Sequence, residues 1–357
     1  MGTTLEDVTT DHLWPQFDAA SALAQQGRWR EAIPQFETLL AADVPRDLRA
    51  HVLNDLGVAY QSLGDFEHAT ANFQQAYDIY ERDRNRLGEA IALGNLGTLH
   101  RQQREWQQAI YCLERSLLVF ENLKIDNLAV AKLRVDMGDA LSATGKPKAA
   151  SEQYELALAR QEAEGDTRAA ALTLHALGTA LRARSRWEDG IAAFERSSAL
   201  FEQLGDVHNL SITLNRLGEL HYERHDFPNA IQVYQRDLQI VEQLRDERAV
   251  AQALNNLALA YVSDKGFAQA QALLNRALAL WEKLDDDAGQ AMALWARAQL
   301  HFEQAEEPAG ALERAAKDGQ RALAIFTRLG RDDEAAAVRK WLAAAERGKR
   351  SGWRRYF

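Results

Sequence analysis

The sequence predicts an all-α chain built from repeated helical hairpins, and three observations support this fold class. Strong helix formers such as Ala, Leu, Glu, Gln and Arg dominate, and only six prolines and 21 glycines interrupt 357 residues. Folds based on sheets need more turn residues than this composition supplies. The sequence also repeats itself with a period of about forty residues, which is typical of a helical repeat array.

A pair made of a large and a small residue recurs along the chain at nearly constant spacing. Successive pairs lie 40 residues apart, with one gap of 41. The small members, called anchors below, are Gly57, Gly97, Gly138, Gly178, Gly218, Ala258 and Ala298. The residues nine positions after the first six anchors are Phe66, Trp106, Pro147, Trp187, Phe227 and Phe267. Each period is predicted to hold two helices, with the second one starting near this aromatic or proline residue.

The predicted connections between helices contain residues suited to ending and starting a helix. The first helices are predicted to end near glycines such as Gly64 and Gly145. Aspartates recur at one position before the following hairpins, namely Asp166, Asp206, Asp246 and Asp286. A carboxylate at this place can accept hydrogen bonds from the first backbone amides of the incoming helix.

Alanine lies twelve positions after five of the first six anchors, at Ala69, Ala109, Ala150, Ala230 and Ala270. These anchors, aromatic residues and alanines resemble the signature of the tetratricopeptide repeat, although a period of 40 is longer than the usual length of about 34 residues. The resemblance implies a right-handed superhelical solenoid of helix-turn-helix hairpins. We expect a flexible N-terminus over residues 1–11 and an array of about eight repeats over residues 12–334. A capping helix over residues 335–347 and a basic, aromatic tail over residues 348–357 are expected to follow.

The resemblance also implies that the first helices line a concave groove, with four positions around each anchor facing it. An asparagine amide there offers one acceptor and two donors, so it can hold a peptide group whatever its side chain. The alternative, that these asparagines only face water, stays open. The candidate groove residues are Asn54, Asp55, Asn95, Thr98, Arg101, Asp136, Asp139, His175, Thr179, Arg182, Asn215, Arg216, Glu219, Asn255, Asn256 and Trp295.

Several kinds of chemistry find no support in the sequence. His100, His221 and His301 occupy the repeat position that Tyr60 holds elsewhere, which favours packing over metal binding. The single cysteine, Cys112, has no motif that pairs it with a base. The sequence contains no glycine-rich phosphate loop. We therefore expect no enzymatic activity, no cofactor, no metal and no small-molecule substrate.

The charge of the chain limits the classes of partner that we expect. A formal net charge of −10 argues against general attraction to nucleic acid or anionic lipid. Residues 331–357, however, contain eight basic and four acidic residues, so the tail is a less favoured candidate for contacting nucleic acid, a membrane or an acidic groove. The absence of a signal sequence or an apolar span, together with one cysteine, favours a cytoplasmic location.

The sequence therefore predicts a non-enzymatic scaffold or adaptor that binds a protein or peptide through its groove. The alternative is a regulatory sensor module of a bacterial signalling or defence system, whose conformation changes when a peptide binds. Contacts restricted to neighbouring repeats make such an array soft, which suits this alternative, and a change in overall dimensions on ligand binding would distinguish it from a rigid adaptor.

Overall fold

The structure is a computed structural model that describes residues 13–304 and 308–346, and these residues form seventeen α-helices and no strand. The chain divides into two compact units between Arg184 and Ser185. The helices of unit 1 are α1 Leu13–Gln25, α2 Trp29–Ala41, α3 Arg46–Ser62, α4 Phe66–Arg82, α5 Arg86–Gln102, α6 Trp106–Asn122, α7 Leu128–Ala143, α8 Pro147–Ala163 and α9 Thr167–Ala183. The helices of unit 2 are α10 Trp187–Gln203, α11 Val207–Glu223, α12 Phe227–Leu244, α13 Glu247–Ser263, α14 Phe267–Lys283, α15 Asp287–Glu303, α16 Pro308–Arg328 and α17 Asp332–Glu346.

The helix boundaries follow the predicted signals closely. Six second helices begin at the aromatic or proline residue that lies nine positions after an anchor. The four predicted capping aspartates each accept a hydrogen bond from the backbone of the helix they precede, as Asp286 does from the amide of Gly289 at 2.8 Å. Gly64 ends its turn with a φ of +80°. Both predictions about the connections are therefore confirmed.

Two departures from the 40-residue period have simple structural explanations. The gap of 41 residues is absorbed in the connection 123–127, which is longer than the three-residue connection 83–85 that precedes α5. The extra residues of the last repeat lengthen its second helix, since α16 has 21 residues whereas α14 has 17. Neither insertion disturbs the order of first and second helices.

Within each unit, every helix packs on the next one along the chain. The first helices of neighbouring hairpins also touch directly, as in the pairs α1 with α3, α5 with α7 and α13 with α15. Among the described residues, no two second helices of neighbouring hairpins make a comparably extensive contact. The first helices therefore form the inner layer of each unit, and their solvent-facing side is called the first-helix face below.

The glycine anchors allow first and second helices to approach closely. A Cβ atom on Gly57 would lie 2.6 Å from Cε1 of Phe73, a ring that is fully buried. A Cβ atom on Gly218 would lie 2.5 Å from the ring of Tyr234 in the same way. At these two positions the anchor is small because an aromatic ring from the second helix occupies the space that a side chain would need, and at Gly97 the side chain of Leu113 does the same at 2.6 Å.

We expect Gly57→Ala to destabilise the protein by about 1–3 kcal/mol because the new methyl group overlaps the Phe73 ring. Alanine is intrinsically the better helix former, by about 1 kcal/mol, so the sign of the change tests the packing argument. Urea unfolding of G57A, F73L and the double mutant provides the measurement. The double mutant should lose less stability than the two single mutants added together, and a G57A protein that is as stable as the wild type would contradict the interpretation.

The last helix packs against the core of unit 2. Val338, Trp341 and Leu342 of α17 are buried, and Trp341 contacts the ring of Phe302 with 5.9 Å between centroids. The helix begins at Asp332, three residues before the predicted start. The predicted N-terminal segment 1–11 and tail 348–357 lie outside the described residues. No helix in the described part of the chain is long and apolar enough to cross a membrane.

Candidate functional site

In unit 1, polar side chains on the first-helix face link α1, α3 and α5. The hydroxyl of Ser21 donates to Oδ2 of Asp55 at 2.8 Å. Asn54, beside Asp55 on α3, accepts a hydrogen bond of 2.8 Å from Nδ2 of Asn95 on α5. All four side chains are partly buried. These two asparagines, which lie three and two residues before their respective anchors, thus hold each other, and Oδ1 of Asn95 is left available as an acceptor.

A second set of contacts continues the network from α5 to α7. Thr98 donates to Oδ2 of Asp136 at 2.6 Å, and the guanidinium of Arg101 lies 2.8 Å from Asp136 and 3.1 Å from Asp139. Tyr154, from the second helix α8, donates to the other oxygen of Asp139 at 2.8 Å. Asp136 is only 3% exposed, and Arg101 provides the charge that balances it.

Burial changes the pKa values of two carboxylates on this face. It raises the pKa of Asp139, an effect opposed by the Tyr154 hydrogen bond and by Arg101. Burial also raises the pKa of Asp55, against the hydrogen bonds from Ser21 and Asn54. Unlike Asp136 and Asp139, Asp55 forms no ion pair with any residue between 13 and 304 or between 308 and 346. A partly buried carboxylate without a cation favours positively charged partners.

The three predicted groove residues on α9 lie at the end of unit 1. Thr179 is exposed, and its hydroxyl donates to the backbone carbonyl of His175 at 3.1 Å. His175 and Arg182 are both partly buried. These three positions remain candidates, and α9 extends the polar face beyond the network of α5 and α7.

In unit 2 the predicted residues are more varied. Arg216 pairs with Glu219 on α11 at 3.0 Å, and Asn215 beside them is partly buried. Asn256 accepts a hydrogen bond of 3.0 Å from Gln252, one turn earlier on α13. These contacts occur within single helices, whereas the network of unit 1 joins neighbouring helices.

Two predicted groove residues of unit 2 lie deeper than the others. Asn255 is 2% exposed, and neither its Oδ1 nor its Nδ2 has a hydrogen-bond partner among the described residues. It can contact a partner only if its neighbours move. Trp295 is partly buried and packs against Phe326 with 6.5 Å between ring centroids.

The sequence predictions missed several residues that shape these surfaces. Ser21 and Tyr154 complete the network of unit 1, although neither occupies a predicted groove position. A buried pair in unit 2 was also missed, in which the hydroxyl of Ser211 donates to Asp237 at 2.5 Å. The signal was present in the repeats, because the position of Ser211 holds alanine in the six other repeats from Ala50 onwards.

The histidines and the cysteine have structural contacts. His100 lies 2.6 Å from Glu105, and His221, only 8% exposed, lies 3.1 Å from Asp226. Cys112 is buried, and burial raises the pKa of its thiol, so the reactive thiolate is disfavoured. Within the described ranges, no group of three or more His, Cys, Asp or Glu side chains could hold a metal ion.

Comparisons with solved structures show similar chains at low sequence identity. The apo form of RapI superposes with a TM-score of 0.68 and 12% identity, covering 94% of this chain and 98% of that one. A signal transduction ATPase with a tetratricopeptide repeat sensor from Pyrococcus horikoshii gives 0.65 and 12%, covering 88% of this chain and 47% of that one. The apo quorum sensor NprR from B. thuringiensis gives 0.54 and 14%, covering 96% of this chain and 99% of that one.

Comparison with family models gives a direct assignment, whereas no curated protein matches the sequence. A model described as tetratricopeptide repeat matches residues 11–82, 88–163 and 169–243, which together exceed half of the chain. A second model with the same description matches residues 250–284. These matches follow the repeat register and the helical hairpins of both units. The chain therefore belongs to the tetratricopeptide-repeat family.

Proposed function

We propose that this protein is a non-enzymatic scaffold or adaptor that binds a peptide or an extended protein segment on its first-helix face. The observation that carries this proposal is the network of unit 1, where side chains of α1, α3, α5 and α7 join from helix to helix. Because neighbouring side chains hold each other in place, their remaining donors and acceptors are already oriented before a partner arrives. Such preorganisation reduces the entropy lost on binding.

The chemistry of this face suits a main-chain ligand. Amides, hydroxyls and carboxylates that recur with the repeat can follow an extended chain over several hairpins, and each contact contributes modestly. The proposal is therefore recognition through several weak contacts, without chemical conversion of the ligand.

Selection of peptides from a random display library on the intact protein tests this function. We expect sequences that bind with micromolar Kd in isothermal titration calorimetry and that are recovered unchanged after prolonged incubation. Each bound peptide should compete with the others, since one face holds them all. A selection that yields no reproducible binder, or a peptide that is converted into a product, would contradict the proposal.

A regulatory sensor is the second candidate, and the buried amide of Asn255 favours it. An amide without partners is costly to bury, by about 1–3 kcal/mol, so a second arrangement of α13 and its neighbours that satisfies Asn255 would be stabilised. The similarity to NprR, whose name describes a quorum sensor, agrees with this idea at the level of the fold. Small-angle scattering with a selected peptide separates the two candidates, because only the sensor requires a change in dimensions.

A further inference from the structure

Four aromatic and imidazole rings gather in unit 1, three of them on the first helices α1 and α3 and one on the second helix α4. Trp14 and Phe17 of α1 meet edge-on with 5.9 Å between centroids. His51 of α3 lies 5.8 Å from Trp14 and 6.3 Å from Phe17. Tyr80 of α4 meets His51 at 5.8 Å with nearly perpendicular planes. We call these four residues the ring cluster.

The ring cluster is partly open to solvent. Trp14 is 37% exposed, whereas Tyr80 is only 4% exposed and belongs to the core. His51 is fixed in orientation, because its Nδ1 lies 2.8 Å from the carbonyl oxygen of Asp47 and must donate to it. The exposed part of Trp14 offers an electron-rich face, which attracts cations.

Two carboxylates lie beside these rings, and among the described residues neither of them pairs with an Arg or Lys side chain. Asp55 follows His51 by one helical turn and is held by Ser21, which lies two turns after Trp14 on α1. Asp18 follows Trp14 by one turn and is exposed. Neither Asp18 nor Asp55 forms an ion pair within the described part of the chain, in contrast to Asp136, which pairs with Arg101. Rings and unpaired carboxylates on one face recognise positive charge better than either feature does alone.

We propose that the ring cluster and Asp55 bind a cationic side chain, arginine or lysine, of the peptide that occupies the first-helix face. This inference rests on the proposed function and adds the chemistry of the partner to it. The aliphatic part of such a side chain would cover Trp14 and His51, and its charged end would reach Asp55 or Asp18. The acidic balance of unit 1, with 23 acidic and 19 basic residues between positions 13 and 184, favours the same class of partner.

Fluorine NMR of the full chain labelled with 5-fluorotryptophan tests this site directly. The chain has eight tryptophans, and the signal of Trp14 is assigned by its loss in Trp14→Phe. The probes are the acetylated and amidated peptides Gly-Gly-Arg-Gly-Gly and its neutral counterpart with citrulline in place of arginine. We expect the arginine probe to shift the Trp14 signal saturably, and the citrulline probe to bind at least roughly fivefold more weakly.

Two variants test which carboxylate contributes to binding of the arginine probe. Asp55→Asn should weaken the response to the arginine probe at least roughly threefold, because it removes the negative charge and keeps the shape. Asp43→Asn removes an exposed carboxylate outside the cluster and should leave the response unchanged. Equal shifts with both probes, or an unaltered response in D55N, would overturn the assignment.

Two further outcomes separate this inference from its competitors. The basic tail of the chain could occupy the same site in place of a partner. We expect R350Q/R354Q/R355Q to leave the Trp14 signal of the free protein unchanged. A shift of this signal would overturn the assignment to a partner. If the selected peptides bind but show no preference for arginine or lysine, this inference fails and the proposed function stands. If no peptide binds at all and the Trp14 signal is silent, both fail.

Discussion

Replacing Trp341 by alanine is expected to destabilise unit 2 by about 3–5 kcal/mol, the range for removing a buried tryptophan. The ring is 5% exposed and lies between α15 and α16, where it contacts Phe302 and comes within 3.0 Å of the position that a Cβ atom on Gly319 would take. No other described helix covers this end of the unit. Without the ring, α17 loses its main anchor, and the apolar surface of the last hairpin becomes exposed to water.

Chemical denaturation of the full-length variant measures this effect. Leu329→Ala is the matched control, since Leu329 is 42% exposed in the turn between α16 and α17 and should cost less than about 0.5 kcal/mol. A W341A protein with the stability of the L329A protein would show that α17 does not close the array.

Asp237 is expected to make the stability of unit 2 depend on pH. Its side chain is almost fully buried, and burial raises its pKa to about 6, against the hydrogen bond from Ser211. In the unfolded chain the pKa is that of a free aspartate, about 4, so the folded state holds the proton more tightly. The carboxyl group therefore contributes fully to stability at acidic pH, and this contribution is lost as the pH rises from about 4 through 6.

The variant Asp237→Asn isolates this contribution, because the amide is neutral at every pH and keeps the shape of the carboxyl group. Relative to the wild type, D237N should gain about 3 kcal/mol between pH 4 and pH 8, the size that corresponds to a pKa shift of roughly two units. The free energies of unfolding from urea titrations at both pH values give the result. A difference between the two proteins that stays constant with pH would contradict it.

The sequence was sufficient to predict most of the fold because the repeat fixes it many times over. Anchors such as Gly57, ring residues such as Phe66 and caps such as Asp166 each have one structural task, and the same task returns every forty residues. Where the pattern of one repeat is ambiguous, the equivalent positions of the other repeats show where its helices begin and end. The lengthened helix α16 had no such support, since only one repeat carries that insertion.

The candidate site was predicted less completely, for a different reason. The repeat register shows which residues share a face, but it does not show which side chains bond to each other across neighbouring helices. Arg101 was predicted as a groove residue, whereas its guanidinium also balances the buried Asp136. Asn255 has the same register position as Asn54, but it is 2% exposed whereas Asn54 is only partly buried. Such differences depend on neighbouring side chains rather than on the repeat.

The affinity of a selected peptide for Asn54→Ala/Asn95→Ala, compared with its affinity for Tyr111→Ala/Leu118→Ala, tests whether the peptide binds on the first-helix face of unit 1. The first variant removes both partners of one hydrogen bond on the first-helix face, so no asparagine remains whose partner has been lost. The second variant truncates two residues of α6 that are 59% and 58% exposed. Circular dichroism should show intact helices in both, since alanine is a good helix former.

We expect N54A/N95A to raise the Kd roughly 5-fold to 100-fold, because two hydrogen bonds to a peptide group are worth about 1–3 kcal/mol together. Y111A/L118A should bind the peptide within about twofold of the wild type, since surface positions outside the site contribute little. Unchanged binding by N54A/N95A together with a loss of binding by Y111A/L118A would place recognition on a second helix and contradict the account.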